Sequence, residues 1–224
     1  MADSKTLKIS ELFYSIQGES TFSGLPCVFI RLSGCNLHCS YCDSRYATEE
    51  QGRTVPVDDI LTSVASSPGV LVEITGGEPL LQPNVHELIE RLLACGRTVL
   101  IETNGSLDFA DIPIEATVIM DIKCPGSGSS SLFPDNIPTI RKRASLRPGS
   151  TEIKFVLSSL QDYEWAREMV LVNGFPTFAP VLFSPVKDLF PIKDLADALL
   201  RDKLPVRLQL QLHSIIWPES LRGV

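Results

Sequence analysis

Short apolar segments alternate with amphipathic segments along most of the chain. Continuous aliphatic and β-branched runs predict strands at 27–33, 70–75, 98–103, 117–122, 152–158, 175–183 and 206–213. Apolar residues spaced three and four positions apart predict helices at 57–67, 83–95, 160–172 and 192–202. Strands that alternate with helices are typical of βα units and a mostly parallel sheet. We therefore predict an α/β fold, with an open or incomplete (β/α) barrel as the leading architecture and a doubly wound sheet as the alternative.

The pattern shows neither a repeat nor a composition shift that would mark a domain boundary. Residues 1–224 are therefore expected to form a single domain, and the chain is long enough to bury its own core. Hydrophobic residues make up 44% of it and charged residues 21%, which is an ordinary globular balance. No run of about 18 apolar residues predicts a membrane span, and the N-terminus lacks the apolar core of a signal peptide. These features favour a cytoplasmic protein with no membrane partner.

Charge argues against nucleic acid as a partner. The net charge is −7, and no long basic run is present, whereas binding to duplex nucleic acid depends on many cationic contacts. The small basic segment "RKRASLR" at 141–147 is expected to be a solvated face or a local anion site.

Polar and glycine-rich segments follow five of the predicted strands. They are the cysteine loop after 27–33, "TGGEP" at 75–79, "ETNGS" at 102–106, "DIKCPGS" at 121–127 and "LHS" at 212–214. Because ligands of parallel α/β folds bind at the carboxyl ends of the strands, these segments predict one ligand site. The low-complexity segment "PGSGSSS" at 125–131 is expected to be a mobile loop or a loop that covers the ligand.

Three of the six cysteines lie close together in "SGCNLHCSYCDSRYA", at Cys35, Cys39 and Cys42. In a reducing cytosol such a C-x3-C-x2-C trio favours a metal site over a disulfide. Zinc usually takes two pairs of ligands, and His38 lies too close to the cysteines to complete a tetrahedral site, so a zinc-binding interaction module is only the alternative. A [4Fe–4S] cluster bound by three thiolates would leave one iron open for chemistry. The other cysteines, Cys27, Cys95 and Cys124, are expected to be buried small hydrophobic residues.

The trio, with Tyr41 before its last cysteine, resembles the radical S-adenosylmethionine superfamily, and "GGEP" at 76–79 strengthens the resemblance. Four further segments are similar to the 7-carboxy-7-deazaguanine synthase family: "ELFYSIQGES", "FIRLSGCNLHCSYCDS", "IETNGS" and "QLQLHSIIWPE". This resemblance implies a trimmed (β/α) barrel, a homodimer, a [4Fe–4S] cluster, S-adenosylmethionine and Mg²⁺. It also implies an electron donor such as flavodoxin or ferredoxin. The implied activity is that of a lyase that converts 6-carboxy-5,6,7,8-tetrahydropterin to 7-carboxy-7-deazaguanine with loss of ammonia, for queuosine and other deazapurines. A glycyl-radical-enzyme activase, which shares the cysteine motif, is the alternative enzyme.

The resemblance also assigns roles to individual residues, with no catalytic side chain beyond the cluster and the radical it generates. Cys35, Cys39 and Cys42 would ligate the cluster, and Ser44 would ligate Mg²⁺. The residues implied at the S-adenosylmethionine site are Tyr41, Cys42, Asp43, Gly76, Gly77, Glu78, Glu102, Asn104, Asp121, Ile122 and Lys123. Those implied at the substrate site are Ile16, Gln17, Gly18, Glu19, Arg31, Thr75 and His213.

Several of these residues have a plainer interpretation, which the sequence leaves open. Arg31 could form an ordinary surface ion pair, His213 could be structural, and Asp43 with Ser44 could cap the following turn. The chain also departs from the family pattern in two places. Ser214 stands where family members often carry lysine, and the chain runs past Pro218 to Val224, whereas in some relatives the terminal carboxylate contacts the substrate.

Overall fold

The computed structural model describes residues 5–67, 69, 71–129, 131–220 and 222–224. Its strands are β1 (Thr6–Ile16), β2 (Pro26–Leu32), β3 (Arg53–Pro56), β4 (Leu71–Gly76), β5 (Thr98–Thr103), β6 (Thr117–Asp121), β7 (Thr151–Leu157), β8 (Val181–Pro185) and β9 (Arg207–Leu208). Its α-helices are α1 (Arg45–Glu49), α2 (Val57–Ser66), α3 (Val85–Ala94), α4 (Asn136–Leu146), α5 (Leu160–Asn173), α6 (Ile192–Asp202) and α7 (Leu212–Ile216). Among the described residues, no helix has both the length and the apolar character needed to span a bilayer.

The strands form one sheet in the order β3-β1-β2-β4-β5-β6-β7-β8-β9. From β2 through β4 to β9 the pairing is parallel, and the strand order follows the chain without the reversal that defines a doubly wound sheet. Strand β1 pairs antiparallel with both β2 and β3. In the described part of the chain, the edge strands β3 and β9 do not pair with each other. The incomplete (β/α) barrel is therefore confirmed.

The sheet buries side chains on both of its faces. The outer face packs against the helices and forms the larger core, which includes Val72 and Ile74 of β4. On the inner face a smaller cluster fills the barrel: Cys27, Phe29, Leu71, Leu100 and Ile119, with Phe13 and Phe22 packed against it. Because side chains alternate along a strand, the next inward positions toward the carboxyl ends are polar: Arg31, Glu73, Thr75, Glu102, Asp121 and Lys154. The polar rim of the barrel thus lies above an apolar floor.

Most predicted elements are confirmed to within one or two residues, but the bounds predicted for two strands are wrong. The segment 175–183 begins with a 3₁₀ turn at Phe175–Thr177, and its strand is Val181–Pro185. The segment 206–213 contributes only the short edge strand Arg207–Leu208 before helix α7 begins. The antiparallel strands β1 and β3 and the helices α1 and α4 were not predicted, because their apolar residues follow neither period clearly.

The basic segment at 141–147 is not wholly solvated. Arg143 is buried and donates hydrogen bonds to the carbonyl oxygens of Ile112, Pro113 and Ala116. Burial lowers the pKa of its guanidinium to about 10. This arginine therefore holds the loop before β6 in place.

All six cysteines are free thiols, but they differ in burial. Cys27 and Cys124 are buried as expected, whereas Cys95 is exposed, so its predicted burial is wrong. Cys95 directly follows α3 and precedes a left-handed glycine, Gly96, in the turn to β5. A turn position of this kind faces solvent even though the preceding helix is apolar on one face.

Candidate active site

A cavity of about 970 Å³ opens at the carboxyl ends of the parallel strands. This volume lies within the range of small-molecule and cofactor sites. The predicted site residues that line it are Ile16, Gln17, Gly18, Glu19, Arg31, Cys35, Cys39, Tyr41, Cys42, Asp43, Ser44, Thr75, Gly76, Gly77, Glu102, Asn104, Asp121, Lys123 and His213. Glu78 and Ile122 are not among the lining residues. The structure thus brings nearly all of the predicted cofactor and substrate residues to one cavity.

The cysteine loop, residues 33–44, presents its three thiols to this cavity. Cys35, Cys39 and Cys42 are half-buried, and the backbone N–H of Cys42 donates to the carbonyl of Cys39. Burial raises the pKa of the Cys35 and Cys39 thiols, and the proximity of Cys42 raises both further. Thiols whose pKa is raised in this way would be held as thiolates by a positively charged metal centre.

The segment 125–131 packs against the cysteine loop. The backbone N–H of Ser40 donates to the carbonyl of Ser127 at 2.9 Å, and the Ser40 hydroxyl donates to the carbonyl of Gly126 at 2.8 Å. The buried Asp162 accepts from the Gly126 N–H at 2.8 Å. Residue 130 lies outside the described residues. In its described part, the segment therefore supports the thiol-bearing loop rather than standing free.

Close backbone packing explains the two glycines of "TGGEP". A Cβ atom on Gly76 would lie 2.5 Å from the carbonyl oxygen of Leu32, and one on Gly77 would lie 2.7 Å from the Cβ of Cys35. Only glycine lets the end of β4 approach the cysteine loop so closely. The pair thus positions the first cysteine as well as lining the cavity.

Glu78 contacts its own protein rather than the cavity. Its buried carboxylate accepts hydrogen bonds from the backbone N–H groups of Leu80 and Asn104 and from the hydroxyl of Thr103. Burial raises the pKa of this carboxyl, although the three hydrogen bonds oppose that shift. The prediction that Glu78 belongs to the S-adenosylmethionine site remains a prediction. In the fold, Glu78 holds the loop that carries Asn104.

Lys154 lies at the centre of the charged residues on the inner face and was missed by the sequence analysis. It pairs with Glu19 and with Glu102, the latter at 2.7 Å. Burial opposes its charge, but the two carboxylates outweigh burial and raise the pKa of Lys154 above its usual value. Burial likewise opposes ionisation of Glu102, and the ammonium of Lys154 outweighs it, so that the pKa of Glu102 is lowered. One cation thus joins a predicted substrate residue to a predicted cofactor residue.

Glu73 is a second lining residue that sequence reasoning missed. It is buried on the inner face of β4, and its carboxyl accepts a hydrogen bond from the Gln17 side-chain amide. Burial raises the pKa of Glu73 well above its usual value, and the nearby Glu102 adds to this. Both Glu73 and Lys154 could have been found in the sequence, because each is a charged residue inside a largely apolar strand segment, "VLVEIT" and "EIKFVL" respectively.

At the mouth of the cavity, donor atoms of Glu19, Asp43 and His213 lie within 4.8 Å of one another. The Gln211 side-chain amide donates to Glu19 at 2.8 Å. Desolvation raises the pKa of the Asp43 carboxyl. Arg31 and other nearby cations outweigh desolvation, so this pKa lies below its usual value. Two carboxylates and an imidazole can receive either a cation or a guest that offers several N–H groups.

His213 was predicted to lie at the end of a strand, but it reaches the cavity from helix α7. The backbone N–H of Leu212 donates to the carbonyl of Gly18 at 3.1 Å. A Cβ atom on Gly18 would lie 2.8 Å from Nδ1 of His213. The close approach of these two segments fixes the imidazole beside the loop that carries Glu19.

The C-terminal tail returns to the same cavity. Ser214 and Val224 both line it, and the Ser214 hydroxyl donates to the carbonyl of Gln211. The guanidinium of Arg222 lies 4.3 Å from the ring centroid of Tyr46 and pairs with Glu50. These contacts hold the tail against α1, near the cavity mouth.

The sequence profile of the Radical SAM superfamily matches residues 29–120, which contain the cysteine loop and "TGGEP". Together with the barrel and the three thiols, this match defines a radical S-adenosylmethionine enzyme. The 7-carboxy-7-deazaguanine synthase of Koribacter versatilis is 43% identical, over 97% of this chain and 100% of its own length. That of Chlorobaculum tepidum is 42% identical over the full length of both chains. The chain belongs to the 7-carboxy-7-deazaguanine synthase family.

The barrel is also similar to that of a solved structure. QueE from Escherichia coli superposes with a TM-score of 0.74 over 92% of this chain and 94% of its own, at 22% sequence identity. This likeness supports the fold.

The enzyme is a lyase that uses a [4Fe–4S] cluster and S-adenosylmethionine, and its residues fit both groups. Cys35, Cys39 and Cys42 supply three thiols on one loop, free of disulfides and facing the cavity. Asp121 adds a second observation, because its buried Oδ1 has no hydrogen-bond partner within the described structure while Oδ2 is held by Lys123 at 2.7 Å. An unpartnered carboxylate oxygen in the wall of the cavity is suited to an N–H or hydroxyl donor from a bound cofactor.

Proposed function

We propose that this protein converts 6-carboxy-5,6,7,8-tetrahydropterin to 7-carboxy-7-deazaguanine with loss of ammonia, a step toward queuosine and other deazapurines. The observation that carries the proposal is a single cavity that joins the three cysteine thiols to Glu19, Arg31 and His213. The similarity to two synthases along essentially their whole length supports it.

The cofactors would occupy the side of the cavity formed by the cysteine loop and strands β4 to β6. Bound there, the cluster and S-adenosylmethionine would supply the radical chemistry needed to activate C6 of the substrate. Gly76, Gly77 and Glu78 would hold the methionine end, and Glu102 and Asn104 would reach the ribose or methionine groups of the cofactor. Tyr41, Cys42, Asp43, Asp121, Lys123 and the backbone near Ile122 would border the rest. The surrounding loops would have to keep water from this side of the cavity, because a reactive radical is otherwise quenched.

The substrate would occupy the side formed by the loop after β1, strand β2 and helix α7. A pterin presents N–H donors along its aminopyrimidine edge, and the carboxylate of Glu19 is suited to accept them. Gln17, Thr75, His213 and the backbone of Ile16 and Gly18 are placed to complete this recognition. The substrate carboxylate would pair with the guanidinium of Arg31, whose Nε has no hydrogen-bond partner in the described structure and lies 3.6 Å from Glu11.

An anaerobic assay tests the proposal. The protein is reconstituted with iron and sulfide, reduced, and supplied with S-adenosylmethionine and the carboxy-tetrahydropterin, and the deazaguanine product is followed by absorbance and mass. Formation of product without lasting consumption of S-adenosylmethionine is the expected result. A glycyl-radical-enzyme activase would instead consume S-adenosylmethionine and require a partner protein, and a zinc-binding module would purify colourless.

The Arg31→Lys variant is expected to bind the substrate more weakly. Lysine keeps the charge but loses the planar fork that matches a carboxylate, so the expected loss is about 1–3 kcal/mol of binding free energy. Calorimetric titration with the pterin measures it. Arg91→Lys, which changes a solvent-exposed ion pair, is the matched control. An unchanged affinity in Arg31→Lys would move the substrate carboxylate to another partner.

A magnesium site at Ser44 is the next part of the proposal. Ser44 immediately precedes α1, yet its side chain makes no capping hydrogen bond to the described residues, which favours a ligand over a turn cap. Magnesium prefers oxygen ligands and often takes only one or two from the protein. The substrate carboxylate and ring oxygen would complete the shell and fix the pterin.

We expect EDTA to slow turnover and Mg²⁺ to restore it, and we expect Ser44→Ala to blunt this response while its iron content stays normal. Ser63→Ala, on the exposed side of α2, is the control. If the activity of the wild-type protein does not depend on Mg²⁺, the proposed magnesium site is refuted. A response lost in Asp43→Asn but kept in Ser44→Ala would move the ion to Glu19, Asp43 and His213.

We further infer that the enzyme is a cytoplasmic homodimer that receives electrons from a flavodoxin or a ferredoxin. This part of the proposal rests on the family resemblance and on the need of the cluster for single electrons.

A further inference from the structure

The loop between β1 and β2, residues 17–25, turns into the barrel instead of away from it. Two hydrogen bonds close it, from the Gln17 N–H to the Leu25 carbonyl and from the Gly24 N–H to the Gln17 carbonyl, both 2.8 Å long. Phe22 packs against the apolar cluster on the inner face of the sheet. Ser20 is buried and has a φ of 63°, a left-handed conformation that a non-glycine residue keeps only when its surroundings enforce it. Something inside the barrel must therefore hold this loop.

Two buried carboxyl groups supply that hold. Glu73 on β4 accepts from the side-chain amide of Gln17, and Glu152 on β7 accepts from the N–H of Thr21 at 3.0 Å and also from its hydroxyl. The two residues are only 3% and 1% exposed. Strands β4 and β7 are separated by β5 and β6, so the loop is fastened at two separate points across the barrel.

The first of these contacts continues directly to the substrate side of the cavity. Oε1 of Gln17 accepts the backbone N–H of Glu19 at 2.8 Å, while its amide nitrogen donates to Glu73. Gln17 thus connects a buried carboxyl to the backbone that presents the Glu19 carboxylate. Neither Glu73 nor Glu152 has a part in the chemistry described above, and Glu152 does not line the cavity.

We propose that Glu73 and Glu152 are positioning residues that together latch loop 17–25 inside the barrel, in the position from which it receives the substrate. The identity of that substrate rests on the proposed function. The attachment of the loop to Glu73 and Glu152 does not depend on it. Removal of the latch would raise the KM for the pterin, because the loop would no longer hold Glu19 in the position that receives the substrate.

The latch also depends on pH. The charged and titratable groups that face Glu73 are Cys27, Arg31, Glu19, Glu102 and Lys154. Those that face Glu152 are Arg207 and Glu102. Burial raises the pKa of both carboxyls. When the pKa of a carboxyl is higher in the folded than in the unfolded state, the folded state becomes less stable as pH rises from the unfolded-state pKa to the folded-state pKa. Ionised Glu73 would add a third carboxylate beside Glu19 and Glu102, so the latch weakens with rising pH.

The test combines Glu73→Val and Glu152→Val, which remove the acceptors, with Glu73→Gln and Glu152→Gln, which keep an acceptor without a titrating group. Glu168→Gln, on the exposed face of α5, is the control. Hydrogen exchange of loop 17–25 is measured in each protein without substrate, and KM and kcat are measured across pH. We expect about tenfold faster exchange confined to the loop and about a tenfold higher KM in the valine variants, the scale of one lost buried hydrogen bond. The Glu73→Gln variant should match the wild type at low pH and should lose the rise of KM at high pH.

Several outcomes would overturn the latch. Exchange and KM unchanged in both valine variants would do so, as would faster exchange spread evenly over the sheet, which would indicate only a general loss of stability. If the valine variants do not fold, the glutamine variants decide, because a pH dependence of KM in Glu73→Gln equal to that of the wild type refutes the proposal. If the wild-type protein does not turn over the pterin, the proposed function fails, and the exchange of the loop still tests the latch.

Discussion

Replacing any one of Cys35, Cys39 and Cys42 by alanine is expected to abolish activity and to remove most of the bound iron. The three thiols line one cavity on one loop, and a cluster held by three ligands cannot be retained by two. Iron and sulfide analysis, together with the visible absorbance of the anaerobically reconstituted protein, measures the loss without relying on turnover.

The remaining cysteines supply matched controls for this experiment. Cys95 is exposed and Cys124 is buried, and neither lines the cavity. Alanine at Cys95 should leave iron content and activity unchanged, and alanine at Cys124 should reduce stability at most. Loss of the cluster in Cys95→Ala together with its retention in Cys39→Ala would refute the ligand assignment.

The Lys154→Met variant is expected to be strongly destabilised. Lys154 has a side chain only 5% exposed and is paired with both Glu19 and Glu102, so its loss leaves two carboxylates without their cation. Breaking a buried ion pair by removing one partner costs about 3–5 kcal/mol. We expect the lower end of that range, because the Glu102 side chain keeps 25% exposure through the cavity. Urea unfolding of the cluster-free protein at neutral pH measures the change.

A second substitution checks the physical reason. Adding Glu102→Gln to Lys154→Met removes one of the stranded charges, so part of the lost free energy of unfolding should return. The pKa of Lys154 is raised above its usual value, so at alkaline pH its stabilising effect is lost only above about pH 10. At acid pH the effect is lost as Glu102, whose pKa is lowered, becomes protonated. An unfolding free energy of Lys154→Met equal to that of the wild type would show that the two carboxylates are solvated well enough to need no partner.

The periodic parts of the chain carried most of the information about the fold. Helices such as α3 and α6 bury one apolar stripe, and strands such as β4 are apolar throughout, so each shows its period in the sequence. Strand β1 and the short strand β3 form the antiparallel edge of the sheet, where apolar and polar residues do not alternate cleanly. Their pairing depends on contacts between segments more than 40 residues apart, which no local pattern records.

The site was predictable where its chemistry is local in sequence. The cysteine trio and the two glycines of "TGGEP" lie in short motifs with a narrow choice of chemistry, and the structure brings them together. Lys154 and Glu73 belong to no such motif, and their partners lie 135 and 56 residues away. Glu78 follows the two glycines in the same motif, but the hydrogen bonds of its side chain to Thr103 and Asn104 could not be read from the motif.

The contact between Leu212 and Gly18 has a consequence for synthesis of the protein on the ribosome. It joins residues 194 positions apart in the chain, and the anchoring of Thr21 by Glu152 spans 131 positions. Contacts of such long range form late, because the loop that they close must first lose its conformational entropy. While the chain is emerging, the β1–β2 hairpin can pair locally, but its connecting loop has no long-range partner until Glu73 of β4 has been translated, and its contacts are complete only after β7 and α7. The nascent chain would therefore expose Phe22 and the inner face of its first strands, and this is the stage at which it would depend most on chaperones.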